Sequence, residues 1–76
     1  MDKKQLMDIL KKSHYPEDSY GIDEIKNESL CIVEEHGLWV IFYSEKGQRS
    51  DSEYHDNENV ACSEFLRQYR EMMNHL

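Results

Sequence analysis

Apolar residues recur at helical spacing near both ends of the chain and at strand spacing in its middle. Leu6, Ile9 and Leu10, with Met7 beside them, line one side of a helix expected over residues 3–12. Asp2 is placed to cap it, and Gln5 three residues on fits a capping box. Pro16 drives the residue before it toward extended geometry, so the helix is expected to end before Tyr15. Residues 15–28 then form an acidic connection, in which Tyr20, Ile22 and Ile25 anchor either a short strand or a single turn.

The strongest local pattern is a hairpin. Leu30–Glu34 and Leu38–Ser44 are both rich in β-formers, and His36-Gly37 between them suits a tight two-residue turn. Alternation places Leu38, Val40 and Phe42 on one face of the second strand and Trp39, Ile41 and Tyr43 on the other. With both faces apolar, this strand should be central and at least partly covered on each side. Residues 45–50 read as a polar loop turned by Gly47, and a weaker third strand runs from about Asp51 to His55. There Asp51, Glu53 and His55 share one face, with Ser52 and Tyr54 on the other.

Asp56 or Asn57 then caps a second helix from about Glu58 to Asn74. Ala61, Phe65, Tyr69 and Met72 form its core stripe, flanked by Cys62, Leu66 and Met73. The expected fold is α+β in the order α-β-β-β-α, a small three-stranded antiparallel meander packed by two helices. All of residues 1–76 fall in one domain, because a chain this short has no room for a second core.

Charge changes the picture more than composition does. The net charge is −7, and residues 13–59 alone hold twelve acids against Lys26, Lys46 and Arg49, a local −9. Such a field repels nucleic acid and anionic membrane and attracts basic protein surfaces. The plainer reading is that these acids keep a small domain in solution. The longest apolar run, Leu38–Tyr43, is too short to span a bilayer, and the first residues lack the apolar core of a signal peptide. A cytoplasmic protein with Cys31 and Cys62 as thiols is the expectation, with no membrane partner and no direct nucleic-acid contact.

Candidate chemistry is sparse. Of four histidines only His55 has ligand-type neighbours, Asp51 and Glu53, on its own strand face. Three side chains spaced roughly 7 Å apart along one strand do not converge on an ion, so no metal or cofactor is expected. The chain has no nucleophile elbow, phosphate-cradling glycine loop or His-Glu-x-x-His helix, and no enzyme activity or catalytic residue is expected. The aromatic series Trp39, Phe42, Tyr43, Phe65 and Tyr69 reads as core. The acids differ. Glu17, Asp18, Asp23, Glu24, Asp51, Glu53, Asp56 and Glu58 occupy expected loops, an edge strand and a helix start, where a charged binding surface costs the fold little.

The segment Trp39-Val40-Ile41-Phe42-Tyr43-Ser44-Glu45-Lys46-Gly47, an aromatic and acidic stretch after it, and Ala61-Cys62-Ser63-Glu64-Phe65-Leu66 together resemble small bacterial immunity proteins. These belong to polymorphic toxin systems, including those of contact-dependent growth inhibition. The resemblance covers about residues 28–67 and takes in the strand Leu30–Val33 with its His36-Gly37 turn. Phe42 stands for a Tyr of the family pattern, Lys46 for an Arg and Val60 for a Glu. It implies a stoichiometric inhibitor of a cognate toxin domain with a basic surface, expected to be a nuclease. The eight acids named above, read from charge and position and not from the resemblance, are the expected binding surface. Two alternatives remain at this level: a broader acidic mimic of nucleic acid, and a small structural or assembly subunit.

Overall fold

The computed structural model describes residues 1–75. Helix α1 (Lys3–Lys12) is followed by a single 3-10 turn (Glu17–Ser19), four strands and helix α2 (Glu58–Asn74). The strands are β1 (Tyr20–Ile22), β2 (Ser29–Glu35), β3 (Leu38–Glu45) and β4 (Gln48–His55). They form one sheet in the order β1-β2-β3-β4. The α+β class stands, with four strands instead of the expected three. The connection that left strand and turn open contains both, the turn at Glu17–Ser19 and the strand at Tyr20–Ile22.

The added strand, β1, pairs parallel to β2 in the register Tyr20 to Leu30 and Ile22 to Ile32. Parallel neighbours ordinarily need a crossover of about a dozen residues or more. Here residues 23–28 suffice, because β1 is only three residues long and the return path is short. The loop crosses tightly over the sheet. A Cβ on Gly21 would lie 2.3 Å from the Glu24 carbonyl oxygen and 3.1 Å from Cys31 Sγ, so this position admits only glycine without a backbone shift.

β2, β3 and β4 form the antiparallel meander, joined by two turns of the same kind. His36 and Gly37 have φ of 53° and 80°, and Lys46 and Gly47 have 51° and 76°, the paired positive angles of a type I′ hairpin. The polar loop expected over residues 45–50 is therefore a two-residue turn, and β4 starts at Gln48 instead of near Asp51. Glu45 pairs with Gln48 directly across that turn. A register shift between Ile41 and Tyr43 places an extra residue in β4, and Asp51 there adopts a left-handed φ of 56°.

Both helices lie on one face of the sheet. α1 carries the expected capping box: Asp2 Oδ1 accepts from Gln5 N at 2.9 Å, and Gln5 Oε1 accepts from Asp2 N at 2.8 Å. α2 is capped by Asn57, whose Oδ1 accepts from Val60 N at 3.0 Å. Leu6 and Leu10 from α1 and Ala61, Cys62, Phe65, Leu66 and Tyr69 from α2 meet Tyr20, Ile22, Leu30, Ile32 and Ile41 in the main core. Trp39 and Tyr43 border it, half-buried, while Phe42, Phe65 and Tyr69 are fully enclosed.

The opposite face carries a second apolar cluster, Cys31, Val33, Val40 and Phe42. No helix among the described residues covers it, yet Phe42 has no exposed surface. Arg49 lies over its ring, with Cζ 4.2 Å from the centroid, and the guanidinium forks onto both oxygens of Glu35 at 2.8 and 2.7 Å. The 23–28 loop shields Cys31 at the other end, where Ser29 Oγ donates to the Lys26 carbonyl at 2.7 Å. Cys31 and Cys62 are both free and buried, one on each side of the sheet.

Candidate functional site

The 3-10 turn, the start of β2, the end of β3, the irregular stretch of β4 and the last turns of α2 converge on one groove of about 690 Å3. Leu30, Tyr43, Met72 and Met73 make its walls apolar, and Asp18, Glu28 and Asp51 line it with carboxylates. That volume falls within the usual range of ligand clefts. The apolar part follows from local sequence. Leu30 and Tyr43 are cross-strand partners on the helix side, and Met72 and Met73 extend α2 past its buried stripe.

The acids arrive by different routes. Asp18 sits in the 3-10 turn, whose geometry is fixed by a relay of hydroxyls: Ser19 Oγ donates to the Pro16 carbonyl at 2.5 Å and bonds the Tyr69 hydroxyl at 2.5 Å. With its one proton given to Pro16, Ser19 accepts from Tyr69. Glu28 precedes β2 with φ of 56°, and Asp51 occupies the register shift of β4. None of Asp18, Glu28 and Asp51 forms an ion pair among the described residues.

Of the eight acids singled out in the sequence, Asp18 and Asp51 thus share one site. Glu17 and Glu24 lie together in a smaller recess beside Lys26, lined also by Met7, Lys11 and Tyr20. Glu24 pairs with Lys26 at 3.2 Å. Asp23 pairs with Lys3 at 2.5 Å, a bond that raises the Lys3 ammonium above its ordinary value. Glu53 accepts from Gln68 Nε2, which holds β4 to α2. Asp56 is exposed in the loop before α2. Glu58 is half-buried and accepts from Lys3 N at 3.0 Å, so it joins the starts of the two helices.

Lys3 is accordingly a structural hub. Its backbone meets α2, its ammonium meets the 23–28 loop, and the same ammonium lies 5.6 Å from the Trp39 ring centroid. Glu28 is the site residue that the sequence reading passed over. Its only signal was membership of the acidic middle segment, which it shares with Glu34, Glu35 and Glu45.

The trio Asp51, Glu53 and His55 does not converge. Asp51 is displaced by the register shift, Glu53 lies opposite Ile41 and His55 opposite Trp39. Among the described residues no group of three or more His, Cys, Asp or Glu is placed to hold a metal ion. No helix among them is long and apolar enough to cross a membrane. Comparison of the chain with family models, with curated proteins and with solved structures found no match.

Proposed function

We propose that this chain is a small immunity protein that binds a cognate toxin domain one-to-one and silences it through its acidic surface. The observation that carries the reading is the concentration of exposed acid in excess of the cations around it. Seven of the eight acids singled out are exposed, and residues 13–59 carry a net −9. A basic partner surface, such as a nuclease needs for its own substrate, is steered toward such a field. The resemblance of residues 28–67 to immunity proteins of polymorphic toxin systems supports the same reading, as does a site whose carboxylates form no ion pair among the described residues. Inhibition in this scheme is by occupancy in the cytoplasm, with no turnover and no cofactor.

The test is co-purification with the toxin domain encoded beside this chain, at low and high salt, with nuclease activity assayed on the complex. A one-to-one complex that abolishes activity is the expected result. Charge reversal of Glu53 and Asp56 is expected to slow association more than it speeds dissociation. Binding to many unrelated basic proteins, or association rates that do not change across a salt series, would overturn the reading.

A further inference from the structure

We infer that the groove between the 3-10 turn, β4 and the end of α2 receives an arginine-bearing segment of a protein partner. The inference rests on the reading of this chain as a binding protein and names the chemistry of its anchor. Two features of the groove select that chemistry together.

The first is charge without an internal answer. The ion pairs among the described residues use Lys3, Lys12, Lys26, Arg49 and Arg67, and none of these reaches Asp18, Glu28 or Asp51. A cation entering from outside therefore meets carboxylates that it does not have to strip from an existing partner. Anionic occupants, nucleic acid and acidic lipid included, meet repulsion instead.

The second is the apolar wall beneath the carboxylates. Met72 and Met73 offer soft, adaptable surface to a methylene stem over the buried Leu30, and the half-buried Tyr43 adds an aromatic side chain to the wall. Guanidinium suits this combination better than ammonium. It is less strongly hydrated, stacks on aromatic rings and presents a rigid fork of donors to carboxylates. The volume of about 690 Å3 exceeds a single side chain and leaves room for the residues on either side of the arginine.

The experiment needs no toxin. A fluorescent, amidated six-residue peptide of alternating arginine and leucine is titrated into the full chain at about 0.1 M salt, where diffuse attraction is largely screened. Binding is read by anisotropy and by the methyl signals of the four methionines. Saturable binding that shifts Met72 and Met73 and leaves Met1 and Met7 in place is expected. Asp18→Asn with Asp51→Asn is expected to weaken it about tenfold. Glu34→Gln with Glu45→Gln, which removes the same charge from exposed positions outside the groove, is expected to leave it within about twofold. A lysine–leucine peptide should bind several-fold more weakly than the arginine peptide.

Absence of saturable binding, equal weakening by the two charge-matched variants, shifts at Met1 and Met7 as large as those in the groove, or equal affinity for the lysine peptide would each overturn the inference. A failed peptide titration beside a successful toxin co-purification places the interface elsewhere. The reverse outcome leaves the groove a cation site in a protein that is not an immunity factor.

Discussion

Tyr20 and Tyr69 meet edge to face in the core, with ring centroids 5.7 Å apart and planes at 85°, but among the described residues only one of the two hydroxyls has a partner. Tyr69 donates to Ser19 and so fixes the turn that carries Asp18. The Tyr20 hydroxyl is buried with no hydrogen-bond partner among the described residues. Burial pushes both phenols above their ordinary pKa, although at Tyr69 the bond to Ser19 offsets part of the effect.

The two conservative substitutions at these rings are therefore expected to have opposite signs. Tyr20→Phe removes a polar group that folding desolvates for no return, and should raise stability by up to about 1 kcal/mol. Tyr69→Phe breaks the relay to Ser19 and should lower stability by about 1 kcal/mol. Urea denaturation of both variants measures the difference, and a loss at Tyr20 equal to that at Tyr69 would show that the Tyr20 hydroxyl is bonded in solution.

Gly21 and Gly37 separate the two reasons a chain needs glycine. Gly21→Ala drives a methyl into the Glu24 backbone and should cost about 2–3 kcal/mol, because a carbonyl in a crossing loop cannot swing aside as a side chain can. Gly37 has φ of 80° and open space around it, so Gly37→Ala should cost only about 1 kcal/mol, from left-handed strain. Similar costs from the midpoints of chemical unfolding would mean that the 23–28 loop does not pack down on β1.

Arg49 sets a pH dependence through Glu35. The hydrogen bond from the guanidinium holds this carboxyl below its ordinary value of 4.5. A lowered folded-state pKa makes the pair's contribution complete above the unfolded value and removes it as pH falls through the folded one. The stability gap between the native chain and Arg49→Gln should therefore be widest near about pH 7 and shrink below about pH 4, where carboxylates protonate. What remains at low pH is the loss of cover over Phe42. Carboxyl NMR should show Glu35 titrating at its ordinary value in the variant, and a gap independent of pH would remove Glu35 from the account.

Both thiols should be silent in the folded chain. Cys31 and Cys62 have no exposed surface, and burial pushes the Cys62 thiol above its ordinary value, which depletes the reactive thiolate. Ellman's reagent is expected to label neither cysteine in buffer and both in denaturant. Rapid labelling in buffer would reveal a local opening, of the 23–28 loop for Cys31 or of α2 for Cys62.

Local signals carried most of the element plan. α1 and its capping box, the His36-Gly37 turn and the buried stripe Ala61, Phe65 and Tyr69 of α2 each depend on contacts within a few residues, so spacing alone reveals them. The Lys46-Gly47 turn has the same dipeptide logic, but polar neighbours on both sides made a longer loop equally consistent with the pattern. β1 was out of reach for a different reason. Three residues are too few to set a period, and the strand exists because β2 offers it an edge and Gly21 lets the following loop pass.

Order along the chain thus decided the class of fold, the helix boundaries, the His36-Gly37 turn and the excess of acid, because each arises from near neighbours or from simple addition of charge. Only the folded arrangement decided which acids act together. It spends Asp23 and Glu58 on Lys3, ties Glu53 to Gln68 and gathers Asp18, Glu28 and Asp51 around Met72 and Met73. Carboxylates far apart in sequence carry no mutual signal in a single chain. Their meeting is fixed by the register shift in β4 and by the placement of the 3-10 turn on Tyr69, and both of these are products of long-range packing.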